Sequence, residues 1–238
     1  MMAAVVDAVL MDVGGTLWPD MWPDRPADLD ERVDRLTSVA AGVLSVDDAR
    51  RLAAYLSDQA TELSKGGRQD ADGLIVEALE KLEVRGVDLE PRTIRRAICL
   101  PASGHVELLP GAARLLSQLA AAKIRVVLVS NALWRDAATY LTDFAAFGLA
   151  HTISAAISSV DVGYRKPHPA MFDAALTCAG APAERCAVVG DSELNDIIPG
   201  RALGCMTVRV AIQEPVPAKS VADHLVGSLD SVATLLHA

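Results

Sequence analysis

Short apolar runs of strand length alternate with helical segments at the N-terminus of the chain and again after residue 107. Between the runs, apolar residues recur at the 3.6-residue spacing of a helix that covers one face of a sheet. This alternation predicts a parallel sheet covered by helices on both faces. The predicted strands are Val5 to Val13, Ile124 to Ser130, Ala155 to Ser158, Cys186 to Gly190 and Met206 to Val210, and the predicted helices are Ala112 to Ala121, Asp136 to Phe144 and Pro169 to Ala179.

Between residues 18 and 107 the pattern changes to helical periodicity without a convincing strand, as over Ala49 to Leu63 and Leu74 to Leu82. Pro-rich stretches bound this segment on both sides. We therefore expect an α/β protein with a Rossmann-like core formed by residues 1–17 and 108–238. Residues 18–107 are expected to form a helical domain inserted into that core.

Composition narrows the class of protein. The chain has 238 residues, half of them hydrophobic, and a formal net charge of -9, which disfavours nucleic acid and anionic membrane as partners. No apolar stretch approaches the roughly 20 residues that span a bilayer, and Asp7 interrupts the only candidate signal segment. The cysteines are too scattered for a zinc cluster or a disulfide framework. These features predict a reduced, cytoplasmic protein.

Polar residues with catalytic potential follow the apolar runs. Asp12 ends the first run beside a glycine pair, where a carboxylate could act as a nucleophile and an anion could approach the backbone. Ser130 ends the second run, Lys166 follows the third, and Asp191 and Asp196 follow the fourth. Ligands of open parallel sheets bind beyond the carboxyl ends of the strands, so we expect these side chains to form one site.

This order of motifs resembles the haloacid dehalogenase superfamily of hydrolases, from about residue 5 to residue 210. The resemblance implies that Asp12 attacks a phosphoryl group and becomes an aspartyl phosphate, which water then hydrolyses. It further implies that Ser130 donates a hydrogen bond to the phosphoryl group and that Lys166 neutralises charge. Mg²⁺ is the implied cofactor, and its implied ligands are Asp12, the carbonyl of Gly14, Asp191 and Asp196.

The expected partner is a small phosphorylated molecule. In the family that this chain resembles, an insertion directly after the first motif is a cap that closes over the site and selects the substrate. Lys65 and Arg68 flank two glycines in the insertion, and this loop could reach toward an acidic substrate. Trp18 is close enough to the catalytic loop in sequence to form part of the pocket wall. The remaining residues expected at the substrate are Gly15, Thr16 and Asn131.

The chain departs from the pattern of most phosphatases of this superfamily at Gly14. Those enzymes carry an aspartate two residues after the nucleophile, which protonates the leaving oxygen and then activates water. Loss of a general acid typically costs about 10²–10⁴-fold in rate. A weakly basic leaving group, as in an acyl phosphate or an anhydride, would make that acid less important. Alternatively, another residue supplies the proton, and the candidates are Asp20, Asp24 and His105.

The sequence leaves other kinds of reaction open. Phosphonate hydrolases of the superfamily carry a small residue at the position of Gly14 and use a cap lysine as a Schiff base, for which Lys65 or Lys81 would have to serve. Haloacid dehalogenases carry a bulkier residue there and do not depend on Mg²⁺, but the segment from Asp191 to Asp196 looks like the metal-binding version of its motif. The last alternative is a slow relative that binds a phosphorylated ligand.

Overall fold

The described part of the chain contains a six-stranded parallel sheet. The computed structural model describes residues 6–20, 26–40, 43–63, 69–86, 89–212 and 219–237. The strands are β1 (Ala8–Met11), β2 (Arg125–Ser130), β3 (Ala155–Ser158), β4 (Cys186–Gly190), β5 (Met206–Val210) and β6 (His224–Val226). Their order across the sheet is β3-β2-β1-β4-β5-β6, and every neighbouring pair is parallel.

Strand β1 lies in the middle of this sheet. Val9 is in register with Val126 on β2 and with Ala187 on β4. All four β1 residues are buried, which explains why the strand reads as a continuous apolar run rather than as an alternating one. The amide of Asp12 continues the ladder by donating to the carbonyl of Val189 at 2.9 Å. The chain therefore delivers Asp12 to the centre of the carboxyl edge of the sheet.

Four helices lie between β1 and β2 in sequence and pack around a hydrophobic cluster of their own. Its fully buried members include Leu36, Leu52, Ile75 and Ile94, one from each helix. We call these four helices the helical unit: α1 (Pro26–Val39), α2 (Val46–Leu63), α3 (Ala71–Lys81) and α4 (Pro91–Ile98). The helical character expected for this region is confirmed, whereas the division of the chain at residues 17/18 and 107/108 stays a prediction.

The remaining helices cover both faces of the sheet. Val9 and Met11 of β1 belong to one hydrophobic cluster, which includes Phe144, and Leu10 belongs to another, which includes Phe172. This alternation is what a parallel sheet with two covered faces requires. In chain order the helices are α5 (Ala112–Ala121), α6 (Ala137–Ala146), α7 (Ser159–Val162), α8 (Pro169–Ala179), α9 (Ile198–Ala202) and α10 (Leu229–His237).

Buried polar contacts join the helical unit to the sheet-bearing part of the molecule. Gln69, just before α3, donates to the carbonyl of Ala132 at 2.5 Å and accepts from the hydroxyl of Ser159 at 2.9 Å. Arg96 of α4 donates to the carboxylate of Asp136 at 2.9 Å. The helical unit is thus held over the carboxyl edge of the sheet, close to the residues that follow β2.

Some elements in the described part of the chain differ from the predicted ones. The predicted first strand was too long, because Asp7 and the residues after Met11 lie outside β1. The edge strand β6 and the helix α10 were not predicted. All four cysteines are free. Among the described helices, none combines the length and the apolar character that a membrane crossing requires.

Candidate active site

A tight loop after β1 fixes the carboxylate of Asp12. The amide of Gly15 donates to the carbonyl of Trp18 at 2.8 Å, and the amide of Trp18 donates back to the carbonyl of Val13 at 3.2 Å, so the chain folds on itself. Inside this loop the completely buried hydroxyl of Thr16 donates to Oδ2 of Asp12 at 2.8 Å. Thr16, which we predicted at the substrate, therefore contacts Asp12 from its buried side and holds its orientation.

Gly15 is the position where the loop requires a glycine. Its φ is +78°, a left-handed conformation that costs other residues free energy. In addition, a Cβ at Gly15 would lie 2.3 Å from Oδ2 of Asp191, closer than any real contact. The missing side chain therefore allows the β1 loop to touch the acidic residue that follows β4.

Lys166 is the buried centre of the site. Its ammonium group donates to Oδ1 of Asp12 and to Oδ1 of Asp196, both at 2.6 Å, and to the carbonyl of Val129 at 2.8 Å. These bonds use all three donors of the group. Burial alone would lower the pKa of Lys166, but the two carboxylates outweigh it and raise that pKa above its usual range. The side chain of Asn131 binds the backbone of Lys166 through both its amide atoms, at 2.7 and 3.1 Å.

Three carboxylates lie at this edge of the sheet. Asp12, Asp191 and Asp196 each offer an oxygen within 4.8 Å of the others. Burial, together with the charge of Asp12, raises the pKa of Asp191 to about 6, and burial also raises the pKa of Asp196 despite its pairing with Lys166. One buried lysine does not balance three carboxylates. A set of oxygen donors with excess negative charge fits a hard divalent cation, and Gly14 lies in the same loop with its carbonyl as the remaining predicted ligand.

The hydroxyl of Ser130 is oriented by a residue that the sequence did not reveal. Tyr140 of α6 donates its phenol proton to Oγ of Ser130 at 2.6 Å. Burial raises the pKa of Tyr140 to about 12, so the phenol stays protonated. Because Ser130 accepts this bond, its own proton is free to be donated to a ligand. A tyrosine in an amphipathic helix ordinarily fills the core, and no motif distinguished Tyr140 from that role.

A cavity of about 620 Å³ lies between this edge and the helical unit. Gly14, Ser130 and Asn131 line it from the sheet edge, and Arg32 and Ile98 line it from the helical unit. Such a volume is in the range of small-molecule sites. The cavity thus reaches from Ser130 to the insertion that was expected to select the substrate, whereas Asp12 and Lys166 are not part of its lining.

Charged side chains surround the mouth of this cavity. Asp20, His105 and Arg165 all line it. Burial and the nearby charge of Asp12 raise the pKa of Asp20, while Arg165 opposes that shift. Nε2 of His105 lies 2.9 Å from a carboxylate oxygen of Glu31 on α1. Both acidic and basic groups are therefore available to a ligand.

The remaining predicted residues divide into two groups. Trp18 is buried and stacks on Tyr140 and Phe144, with centroid distances of 5.9 and 5.3 Å, although it also contributes to the cavity wall. Lys81 donates to the hydroxyl of Tyr55 at 3.3 Å on the helical unit and is not part of the cavity lining. Lys65, Arg68 and Asp24 lie outside the described residues.

The fold and the site together define an α/β protein with a cluster of aspartates and a buried lysine at the carboxyl edge of a parallel sheet. A model of the haloacid dehalogenase-like hydrolase family matches residues 6–204. The chain therefore belongs to the haloacid dehalogenase-like hydrolases, as its motifs predicted.

The similar proteins include both phosphatases and a dehalogenase. A phosphoglycolate phosphatase of Yersinia pseudotuberculosis is 36% identical over 99 residues, which are 42% of this chain and 41% of that protein. The chain thus matches less than half the length of this relative. A phosphatase of the same superfamily from Thermococcus onnurineus has a TM-score of 0.61 at 19% identity, covering 97% of both chains. A 2-haloacid dehalogenase from Pseudomonas syringae pv. tomato has a TM-score of 0.63 at 20% identity, covering 98% of this chain and 99% of the other. The two solved structures establish the fold alone.

Proposed function

We propose that this protein is a cytoplasmic, Mg²⁺-dependent phosphatase that hydrolyses a small phosphorylated metabolite through an aspartyl phosphate on Asp12. The observation that carries the proposal is the cluster of Asp12, Asp191 and Asp196, in which Asp12 and Asp196 also bind the ammonium of Lys166. Displacement of halide by a carboxylate needs no divalent cation, so it does not require a cluster of three carboxylates. Phosphoryl transfer does, because a divalent cation held there offsets the charge of the transferred group.

The residues divide the work as follows. Asp12 attacks phosphorus in line with the leaving oxygen, held by the hydrogen bonds from Thr16 and Lys166. Ser130 donates to a phosphoryl oxygen, and its position is set by Tyr140. Mg²⁺ bound by the three aspartates and the carbonyl of Gly14 would supply positive charge to the phosphoryl oxygens.

The substrate class follows from the cavity and from the named relative. A volume of about 620 Å³ suits a metabolite rather than a macromolecule. The partial relative from Yersinia pseudotuberculosis is named a phosphoglycolate phosphatase, which supports a small phosphate ester as substrate. We propose that the helical unit acts as the cap over this cavity, and that Lys65, Arg68 and Trp18 contribute to substrate selection.

The test is release of phosphate from a panel of sugar phosphates, small carboxylated phosphate esters, acyl phosphates and phosphonates, in Mg²⁺ or EDTA. Asp12→Asn is the inactive comparison, because an amide is a poor nucleophile but has nearly the same shape. Release of halide from 2-haloacids is measured in parallel. We expect phosphate release that needs both Mg²⁺ and Asp12. Halide release that persists in EDTA would overturn the proposal in favour of a dehalogenase, and no turnover on any compound would favour a ligand-binding role.

A further inference from the structure

The space that a side chain at Gly14 would fill contains the carboxylate of Asp20. Oδ1 of Asp20 lies 3.1 Å from the point where a Cβ of residue 14 would stand, and the carboxyl carbon lies 3.9 Å from it. Gly14 has an ordinary φ, so its backbone does not explain the absence of a side chain. A carboxylate from six positions further along the sequence therefore lies beside the loop that follows Asp12.

The loop geometry explains how Asp20 reaches that place. The bond from the Gly15 amide to the Trp18 carbonyl turns the chain back, so that Trp18 runs alongside Gly14 as a short parallel bridge. Trp18 is anchored in the core by its aromatic stacking, and Pro19 restricts the φ of the next step. Asp20 is thus held over Gly14 by a buried anchor two residues away, while it stays open to solvent at the cavity mouth.

We propose that Asp20 is the proton donor and acceptor of the reaction, in place of the side chain that Gly14 lacks; this proposal rests on the phosphatase function proposed above. In the first half-reaction, Asp12 oxygen bonds to phosphorus, the bond from phosphorus to the leaving oxygen breaks, and that oxygen takes the proton of Asp20. In the second, the Asp20 carboxylate takes a proton from water as the water oxygen bonds to phosphorus. The bond to Asp12 then breaks, and phosphate leaves.

The structure distinguishes Asp20 from the other donors considered from the sequence. His105 lines the same cavity, but its Nε2 faces Glu31 on α1. Asp24 lies outside the described residues. Of the candidates that the structure describes, Asp20 alone occupies the space of the residue 14 side chain.

The experiment compares Asp20→Asn with wild type on an alkyl phosphate, whose leaving oxygen needs a proton, and on acetyl phosphate, whose leaving carboxylate does not. We expect kcat/KM for the alkyl ester to fall about 10²–10⁴-fold and kcat/KM for acetyl phosphate to change less than about 10-fold. The variant should also accumulate phosphorylated Asp12 during turnover of acetyl phosphate, because the second half-reaction loses its base. Asp30→Asn, an exposed carboxylate paired with Arg50 on the helical unit, is the matched control.

A second substitution protects the test against simple damage to the loop. Gly14→Asp in an Asp20→Ala background, in which the space is vacated, returns a carboxylate to it and should restore alkyl ester hydrolysis at least 10-fold relative to Asp20→Ala. A merely structural role of Asp20 would not be rescued in this way.

Several results would overturn the assignment. An equal loss on both substrates, an unchanged rate on the alkyl ester, or a leaving-group-selective loss in His105→Gln instead of Asp20→Asn would each remove Asp20 from this role while the phosphatase function stands. A wild-type enzyme that hydrolyses acetyl phosphate but no alkyl ester would do the same. Absence of phosphate release by wild type from any substrate would overturn the proposed function and this assignment together.

Discussion

At the scale of single residues, the site is a buried network in which each hydrogen bond limits what its neighbour can do. Lys166 donates all three of its bonds inward, and Thr16 holds the other oxygen of Asp12. Tyr140 gives its proton to Ser130, which leaves Ser130 as a donor. Polar groups arranged in this way are oriented before a substrate arrives, which is the condition for electrostatic stabilisation of a transition state.

Tyr140→Phe tests this ordering directly. The substitution removes one hydroxyl and leaves the ring stacked on Trp18. Because one hydrogen bond contributes about 1 kcal/mol, we expect kcat to fall about 3–10-fold with little change in KM. Tyr55→Phe removes a hydroxyl from the helical unit, away from the cavity lining, and should leave kcat unchanged. Equal effects of the two substitutions on kcat would contradict the role assigned to Tyr140.

The residues that sequence could assign were those at strand ends. Asp12 and Asp191 follow β1 and β4, and Ser130 ends the neighbouring strand β2, so the topology alone brings them to one edge. From the sequence, Asp20 was only one of three candidate proton donors, because the turn that carries it over Gly14 depends on the burial of Trp18. Tertiary packing of this kind leaves no periodic signal.

At the scale of elements, the junction between α4 and α6 holds the helical unit against the sheet edge. Asp136 caps α6 by accepting from the amide of Thr139 at 2.8 Å, and it also accepts from Arg96. Nη1 of Arg95 lies 3.3 Å from the same carboxylate. Burial would raise the pKa of Asp136, but the bonds from Thr139 and Arg96 outweigh it and lower that pKa to about 2. One carboxylate therefore both starts a helix and binds another.

Two substitutions separate these roles. Asp136→Ala removes the cap and the ion pairs, and we expect it to lower the free energy of unfolding by about 1–2 kcal/mol through the cap alone, with a further loss because the buried Arg95 on α4 loses one of its partners. Asp136→Asn keeps a good capping residue and should cost less. Urea unfolding at neutral pH measures both.

The same carboxylate predicts a dependence on pH. A lowered folded-state pKa contributes stability that is complete above the unfolded-state value of about 4 and is lost as the pH falls toward about 2. The difference in stability between wild type and Asp136→Asn should therefore shrink across this range. A difference that grows on acidification would contradict the assignment of the low pKa to Asp136.

Among the elements, the predicted strands β3, β4 and β5 have the bounds that the sequence indicated. Of these three, β4 is buried on both faces and reads as an uninterrupted apolar run. Strand β6 was missed because it is a half-buried edge of three residues. Its hydrogen bonds to β5 hold this segment as a strand, although its own sequence does not indicate one.

At the scale of the whole molecule, an acidic chain brings three carboxylates together at one place, and one buried lysine pairs with two of them. A cation that binds the folded site and not the unfolded chain stabilises the fold by mass action, about 2.7 kcal/mol at a concentration of 100 times Kd. We therefore expect Mg²⁺ to raise the melting temperature by several degrees. Asp191→Asn should abolish this rise, and Asp30→Asn should preserve it. A rise that persists in Asp191→Asn would place the cation elsewhere.

Covalent phosphorylation of Asp12 is tested by a rapid quench of the enzyme during turnover, followed by mass spectrometry of its peptides. We expect a phosphorylated peptide whose modification maps to Asp12, which forms with Mg²⁺, disappears as substrate is exhausted and is absent in Asp12→Asn. Turnover of substrate without a phosphorylated Asp12 at any time, or with phosphate on another residue, would contradict the proposed mechanism.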